Sequence, residues 1–196
     1  MKEKEFDKLT REYFGAVLEP YGFSAERSRY CTFYKQVGDL YHVVMPDING
    51  RGTSFGIRVF TTSPLIDPSF DDCFPDDIGI PSDVCSSLHP LRGVSFRSHE
   101  YRCRLEEGFI RNFNKDAKPA LLEKALPFLS KITTLQDMMP FIKSPFYKGV
   151  TLWLVGSKED ARPLLESELQ RLSLIRDDSG KIATSIYFIK SLLTPH

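Results

Sequence analysis

The sequence predicts an α+β fold in which an N-terminal helix covers an antiparallel sheet of three to five strands and the C-terminal half is helical. Apolar residues recur every three or four positions near both ends of the chain, whereas short aromatic and β-branched runs separated by glycines fill the stretch from about residue 30 to residue 60. The chain has 196 residues, of which 41% are hydrophobic, and its 26 basic residues balance 26 acidic ones. This composition is typical of a globular protein that needs no metal or disulfide framework to fold.

The first helix is predicted over residues 3–19. Its apolar side chains share one face and its charged side chains share the other. The apolar set is Phe6, Leu9, Tyr13, Phe14, Val17 and Leu18. Pro20 and Gly22 follow directly and are expected to end the helix, because neither residue continues a helical turn well.

Three strands are predicted from runs of strand length at residues 30–34, 40–45 and 55–60. Two glycine-containing segments, 37–39 and 49–52, separate these runs, and glycine permits the positive φ of tight turns. The simplest arrangement is therefore an antiparallel meander.

The third run alternates apolar residues with others, so one of its sides is apolar. Phe55, Ile57 and Val59 form that side, and we expect the first helix to cover it. Residues 93–97 predict a fourth strand, and residues 101–105 predict a fifth.

A long acidic loop is predicted from Pro64 to Pro90. Five prolines fall within these 27 residues, and all six charged residues are aspartates, which gives the segment a charge of −6. The sequence thus divides into residues 1–105, which hold the first helix, the sheet and this loop, and residues 106–196, a helical half expected to pack on the sheet as one unit with it.

The C-terminal half contains several predicted helices. Two tetrapeptides, Asp116-Ala117-Lys118-Pro119 and Asp160-Ala161-Arg162-Pro163, precede leucine-rich runs and predict helix starts, since Asp can cap a first turn and Pro tolerates one. Thr134 is predicted to cap a short apolar helix. Residues 150–155 are compatible with helix or strand, and residues 182–193 favour a closing helix.

The sequence contains no established catalytic motif and no phosphate-binding glycine loop. A cysteine nucleophile would need a histidine nearby, and Cys31 and His42 are candidates for cross-strand neighbours. The zinc candidates are Cys85, His89, His99 and Cys103. Their spacing departs from that of structural zinc sites, so we favour reduced, buried cysteines and expect neither a metal nor a cofactor.

The balanced charge disfavours a nucleic-acid partner. Aromatic residues interleaved with basic ones could form a stacking platform for single-stranded nucleic acid. These residues are Arg27, Arg29, Tyr30, Phe33, Tyr34, Lys35 and Tyr41. Core packing on one side with amphipathic tyrosines on the other is the preferred interpretation, because the aromatic pattern typical of an RNA-recognition sheet is absent. Because the chain has neither a secretory signal pattern nor a membrane-spanning apolar run, we expect a cytoplasmic protein.

The order of these parts resembles a bacterial family of proteins of unknown function. The resemblance lies in Tyr21-Gly22-Phe23 after the first helix, in the hairpin run of residues 30–35 and in Phe55-Gly56-Ile57-Arg58-Val59, and it covers residues 5–62. Members of that family are found among immunity proteins of contact-dependent and polymorphic toxin systems. The resemblance implies an α+β cytoplasmic domain that binds a protein, and it supplies no catalytic residues.

We therefore expect a non-catalytic protein-binding module, in particular an immunity-type inhibitor that masks a basic toxin surface. The acidic loop is the predicted contact, through Asp71, Asp72, Asp76 and Asp77. Two other interpretations stay open: a small enzyme with an unrecognised Cys/His site, and a zinc-stabilised interaction domain. The sequence leaves the oligomeric state open.

Overall fold

The computed structural model describes residues 1–25, 32–48, 51–66, 101–142, 144–175 and 181–194. It confirms the predicted α+β class, with an antiparallel sheet of five strands, an N-terminal helix and a helical C-terminal half. The predicted strand at residues 93–97 and almost all of the acidic loop lie outside the described residues.

The sheet follows chain order. Its strands are β1 (Ser24–Ala25), β2 (Phe33–Val37), β3 (Leu40–Ile48), β4 (Ser54–Thr62) and β5 (Tyr101–Arg102), and every neighbouring pair is antiparallel. The three predicted strands and the meander are confirmed, although β2 begins three residues later than predicted. The two-residue β1 carries too little pattern for the sequence to indicate it.

Helices cover both faces of the sheet. The first helix, α1 (Glu3–Leu18), is followed by a 3-10 turn, and after β5 a continuous helical stretch runs from residue 106 to residue 129, which we call α2. The remaining α-helices among the described residues are α3 (Leu135–Met138), which a 3-10 turn at Met139–Phe141 follows, α4 (Pro145–Leu154), α5 (Lys158–Ser173) and α6 (Lys181–Leu193).

The two faces of the sheet hold two separate hydrophobic clusters, because successive residues of a strand point to opposite sides. Val44 and Val59 lie opposite each other in register and pack with α1 and α2, as predicted for the apolar side of β4. Val43 and Phe60, the next pair, pack in the second cluster with residues of α4, α5 and α6. The sheet is therefore buried from both sides.

The helix start predicted at Asp116 is wrong. The helical stretch begins ten residues earlier, and Pro119 lies inside it. The start predicted at Asp160 is late by two residues, since α5 begins at Lys158 and contains Pro163. In both cases the proline lies within a helix that began before it, so it marks no boundary.

The other helical predictions agree with the structure. The Thr134 hydroxyl accepts a hydrogen bond from the Asp137 amide at 3.2 Å, which confirms it as a cap. The ambiguous run at residues 150–155 is helical through Leu154, and the C-terminal tail forms α6.

Candidate partner-binding groove

An open groove lies between the C-terminal end of α1 and the first part of α2. Its volume is about 350 Å³. One wall comes from α1 and the turn after it, through Tyr13, Ala16, Val17, Pro20 and Tyr21; the other comes from α2, through Phe113, Asn114, Lys118 and Leu122. We call this feature the groove.

The helical stretch that forms the α2 wall contains two π-helical turns, and a proline accounts for each of them. The stretch alternates α-helical segments with two π-helical ones, Phe113–Ala117 and Leu121–Ala125. The Lys118 amide donates to the Phe113 carbonyl, five residues back, and the Leu126 amide donates in the same way to the Leu121 carbonyl.

Each of these donors directly precedes a proline, Pro119 or Pro127. A proline ring in a regular helix collides with the carbonyl four residues earlier, and it has no N–H to donate there. A π turn widens the helix at that carbonyl, so each proline is accommodated without a break. Phe113 and Asn114 belong to the first π turn and Lys118 follows it, so this irregularity shapes the groove.

The α1 wall ends at a left-handed glycine. Gly22 has φ +83°, and its amide donates to the Glu19 carbonyl at 2.9 Å, closing the 3-10 turn Glu19–Tyr21. This turn presents Tyr21 at the groove with 49% of its surface exposed. An exposed tyrosine offers a partner both an apolar ring and a hydroxyl.

Tyr13 and Phe113, one from each wall, meet at the floor of the groove and belong to a packed aromatic cluster that continues behind it. Tyr13 meets the edges of Phe109 and Phe113 with ring centroids 5.8 and 5.6 Å apart, and Phe113 lies 4.9 Å from Phe14. Phe109, Phe113 and Phe14 are buried. The floor is thus rigid and apolar, while the walls are accessible.

The charge along the groove is positive. Lys118 is the one charged residue among those that line it, and among the described residues it takes part in no ion pair. Lys35 lies beside the Tyr21 end, since its Nζ would be 3.8 Å from a Cβ placed on Gly22. Burial, together with the Asp116 charge, raises the pKa of Tyr101.

The predicted partner-contact residues, Asp71, Asp72, Asp76 and Asp77, lie outside the described residues, and so do Cys31, Cys85, His89 and His99. Their proposed roles therefore stay predictions. Of the residues assigned to zinc or to a Cys/His site, the structure describes Cys103 and His42.

His42 is a buried structural residue of β3. Its cross-strand neighbours are Lys35 on β2 and Thr61 on β4, so the β2 residue opposite it is not the candidate Cys31. His42 Nε2 lies 2.6 Å from the Ile132 carbonyl oxygen and donates to it, which leaves Nδ1 unprotonated in the neutral ring. Burial lowers the pKa of His42, Lys35 lowers it further, and the bond to Ile132 opposes both effects.

Cys103 lies at the other end of the sheet from His42. Its amide donates to the Thr53 carbonyl, whereas His42 pairs with Thr61, eight positions along the same strand. At roughly 3.3 Å per residue the two sites are about 26 Å apart. Burial raises the pKa of the Cys103 thiol to about 11, so this side chain is a poor nucleophile and a packing residue.

The described aromatic residues of the proposed stacking platform do not share one surface. Phe33 is fully buried in the cluster beneath α1. Tyr34 and Tyr41 pack against the cluster on the opposite face of the sheet, and their ring centroids are 6.5 Å apart. This arrangement agrees with the preferred interpretation, core packing.

Within the described part of the chain, no three His, Cys, Asp or Glu side chains are grouped as metal ligands would be. Among these same residues, no helix combines the length and the apolar character needed to cross a bilayer.

No family model matches this chain, and neither a curated protein nor a solved structure matches it. The resemblance of residues 5–62 to immunity proteins therefore stays a prediction from short motifs.

Sequence reasoning missed the groove. The helical pattern places Tyr13 and Val17 on the apolar face of α1, and it predicts a helix start at Lys118 and its neighbours. The available signal was the pair of prolines eight residues apart, Pro119 and Pro127, within one long apolar-periodic stretch. A continuous helix with two prolines predicts local widening, but it does not predict which element packs beside it.

Proposed function

We propose that this chain is a non-catalytic protein-binding module that holds a segment of its partner in the groove. The observation that carries the proposal is the groove itself: a rigid aromatic floor with accessible walls that present Tyr21 and Lys118. Tyrosine and other aromatic residues are enriched where proteins bind one another, and buried aromatic anchors supply much of the binding energy.

The chemistry of the lining favours binding over catalysis. Among the described residues that line the groove there is no cysteine, histidine, serine or carboxylate. These are the groups that most often act as nucleophiles, acids and bases in hydrolytic and transfer reactions. The described cysteine and the buried histidine lie elsewhere, and each has a structural explanation in packing or hydrogen bonding.

An immunity-type role is a finer proposal. It is supported by the resemblance of residues 5–62 and by the acidic segment that ends near Asp83. In that case the groove would hold one part of a toxin, and the aspartates would attract a basic surface on another part of the same toxin.

The experiment is selection of binders from a displayed library of random peptides on the full chain. Ala16 is an exposed residue of the α1 wall, so Ala16→Trp should fill the groove with little effect on the core. Ala183→Trp makes the same change at an exposed alanine of α6 and serves as the matched control.

We expect peptides that bind the wild type and the Ala183→Trp variant but lose at least tenfold in affinity on Ala16→Trp. Thermal unfolding of all three proteins shows whether the fold is intact. Peptides that bind the two variants equally, or a selection that yields no binders, would contradict a partner site in the groove.

A further inference from the structure

We infer that the groove selects an acidic segment of its partner, in which one aromatic or aliphatic side chain enters the groove and an adjacent carboxylate binds Lys118. This inference rests on the proposed function and adds the chemical class of the ligand. The juxtaposition that supports it is an apolar floor beside an ammonium group that no described carboxylate neutralises.

The apolar requirement follows from the lining. Val17 and Phe113 are buried, Tyr13 and Leu122 are half-buried, and all four present carbon surface to the groove. A polar group pressed against this carbon surface would lose water there without gaining a hydrogen-bond partner from it. An aromatic ring or an aliphatic side chain has no hydrogen bonds to water to lose there, and it gains apolar contact area.

The acidic requirement follows from charge complementarity. Lys118 lies in the α2 wall, and Lys35 lies near the opposite end beside Gly22. No carboxylate is among the residues that line the groove. The Glu19 carboxylate, in the turn that ends the α1 wall, is directed toward Gly15, which does not line the groove. A partner carboxylate in the groove would therefore be attracted by Lys118 and Lys35, whereas a basic partner segment would be repelled by them.

The open shape favours a protein segment over a small molecule. Sites for small ligands usually enclose most of the ligand surface. Here Ala16, Pro20, Tyr21, Asn114 and Lys118 are all exposed, so the walls stay accessible to solvent along their length. Such walls fit a side chain that is anchored by the rest of a larger partner.

The test uses synthetic copies of the peptides selected on the full chain, each made in an acidic form and in a form with Asn and Gln in place of Asp and Glu. The variants are Lys118→Gln and, as the matched control on the same helix, Lys115→Gln, which removes an equal charge from an exposed residue outside the groove lining. Fluorescence polarisation measures the affinities at low and at physiological ionic strength.

We expect the acidic peptides to bind about fivefold more tightly than their amide forms, which corresponds to about 1 kcal/mol for a partly exposed ion pair. Lys118→Gln should remove that preference, Lys115→Gln should leave it unchanged, and added salt should reduce it. The combined loss from Lys118→Gln and the amide peptide should be smaller than the sum of the separate losses.

One result would overturn this inference and leave the proposed function standing: peptides that depend on the groove, as shown by Ala16→Trp, yet bind equally well in acidic and amide forms. A preference that survives Lys118→Gln would also overturn it, because the carboxylate would then be bound elsewhere. If no selected peptide loses affinity on Ala16→Trp, the result would instead contradict the proposed function.

Discussion

His42 shows how a single residue acquires a role that its sequence neighbours do not reveal. Its partner, the Ile132 carbonyl, is 90 residues away and is brought to β3 by the chain that follows α2. Alternation along β3 indicates which residues face the core, but it gives no indication of a bond to such a distant carbonyl. The ring is held neutral, so its contribution to stability should depend on pH.

The first prediction concerns how the free energy of unfolding depends on pH. Because the pKa of His42 is lowered from 6.5 in the folded chain, the unfolded chain binds more protons as the pH falls below that value. The stabilising contribution should be complete above about pH 6.5 and should decrease toward the folded pKa. His42→Gln keeps a donor for the Ile132 carbonyl and does not titrate.

Urea unfolding at a series of pH values tests this prediction. Between about pH 7 and pH 5 the free energy of unfolding should fall more steeply for the wild type than for His42→Gln. Parallel curves for the two proteins would show that His42 titrates alike in the folded and unfolded chains.

The second prediction concerns two turn glycines that the sequence treats alike. Gly38 has φ +57° and Gly52 has φ +63°, and a Cβ on Gly38 would meet no atom within 4 Å. A Cβ on Gly52 would collide with the backbone carbonyl of Met1, whose ammonium group donates to the Gly52 and Arg104 carbonyls.

Gly38→Ala should therefore lower the free energy of unfolding by about 1 kcal/mol, from backbone strain alone. Gly52→Ala should lower it by about 3 kcal/mol, because the Met1 backbone must also move. Chemical denaturation followed by circular dichroism measures both losses. Equal losses would mean that the Met1 segment does not press on this turn.

At the scale of elements, periodicity predicted the existence of most helices and strands, and the tertiary structure decided their boundaries. The prolines at 119 and 163 show why: the local rule assigns proline to a first turn, but a helix that already packs on the core can retain a proline further along. The two-residue strand β1 is held by pairing with β2, for which a dipeptide gives no signal, whereas β5 lies at the start of the strand predicted at residues 101–105.

The third prediction concerns the α4–α5 pair. Gly149 lies where α4 meets α5, and a Cβ there would be 3.0 Å from Leu165 Cγ and 2.9 Å from its Cδ2. Leu165 is fully buried, so it has little room to move. Gly149→Ala should therefore destabilise the protein by about 1–2 kcal/mol, although alanine is the better helix former by about 1 kcal/mol.

A second substitution tests the cause. Leu165→Ala alone should cost about 2–5 kcal/mol, and the double variant should lose less than the sum of the two single variants, because the new methyl group occupies part of the vacated space. Additive losses in urea unfolding would indicate that Gly149 is not kept small by Leu165.

At the scale of the whole molecule, the fold class was predictable and the groove was not. Each hydrophobic stripe had to be covered, and the composition of the two halves indicated helices on an antiparallel sheet. The groove depends on how closely α1 and α2 approach each other, which depends on packing among aromatic residues from both helices. No local pattern specifies that distance.

The fourth prediction concerns the acidic segment as a source of long-range attraction. Replacing Asp71, Asp72, Asp76 and Asp77 with asparagine should slow association with a partner protein that has a basic surface, most strongly at low salt, because attraction between opposite charges on two proteins acts mainly on the association rate. A matched control neutralises four exposed carboxylates elsewhere: Glu106, Glu107, Glu159 and Asp160.

Stopped-flow kinetics at two ionic strengths measure this effect. The four aspartate changes should reduce the association rate more than the control changes do, with a smaller difference at high salt. Identical rates for both variants would exclude a specific contribution from the acidic segment.

The measurement that tests the binding site most directly is site-specific photo-cross-linking of the full chain inside its native cells. A photoreactive phenylalanine replaces Tyr21 at the groove or, as the control, the more exposed Tyr187 of α6; their exposed fractions are 49% and 76%. We expect one discrete protein adduct from position 21, absent from position 187 and suppressed by Ala16→Trp. Adducts that form equally at both positions, or that persist with the groove filled, would show that the partner binds elsewhere.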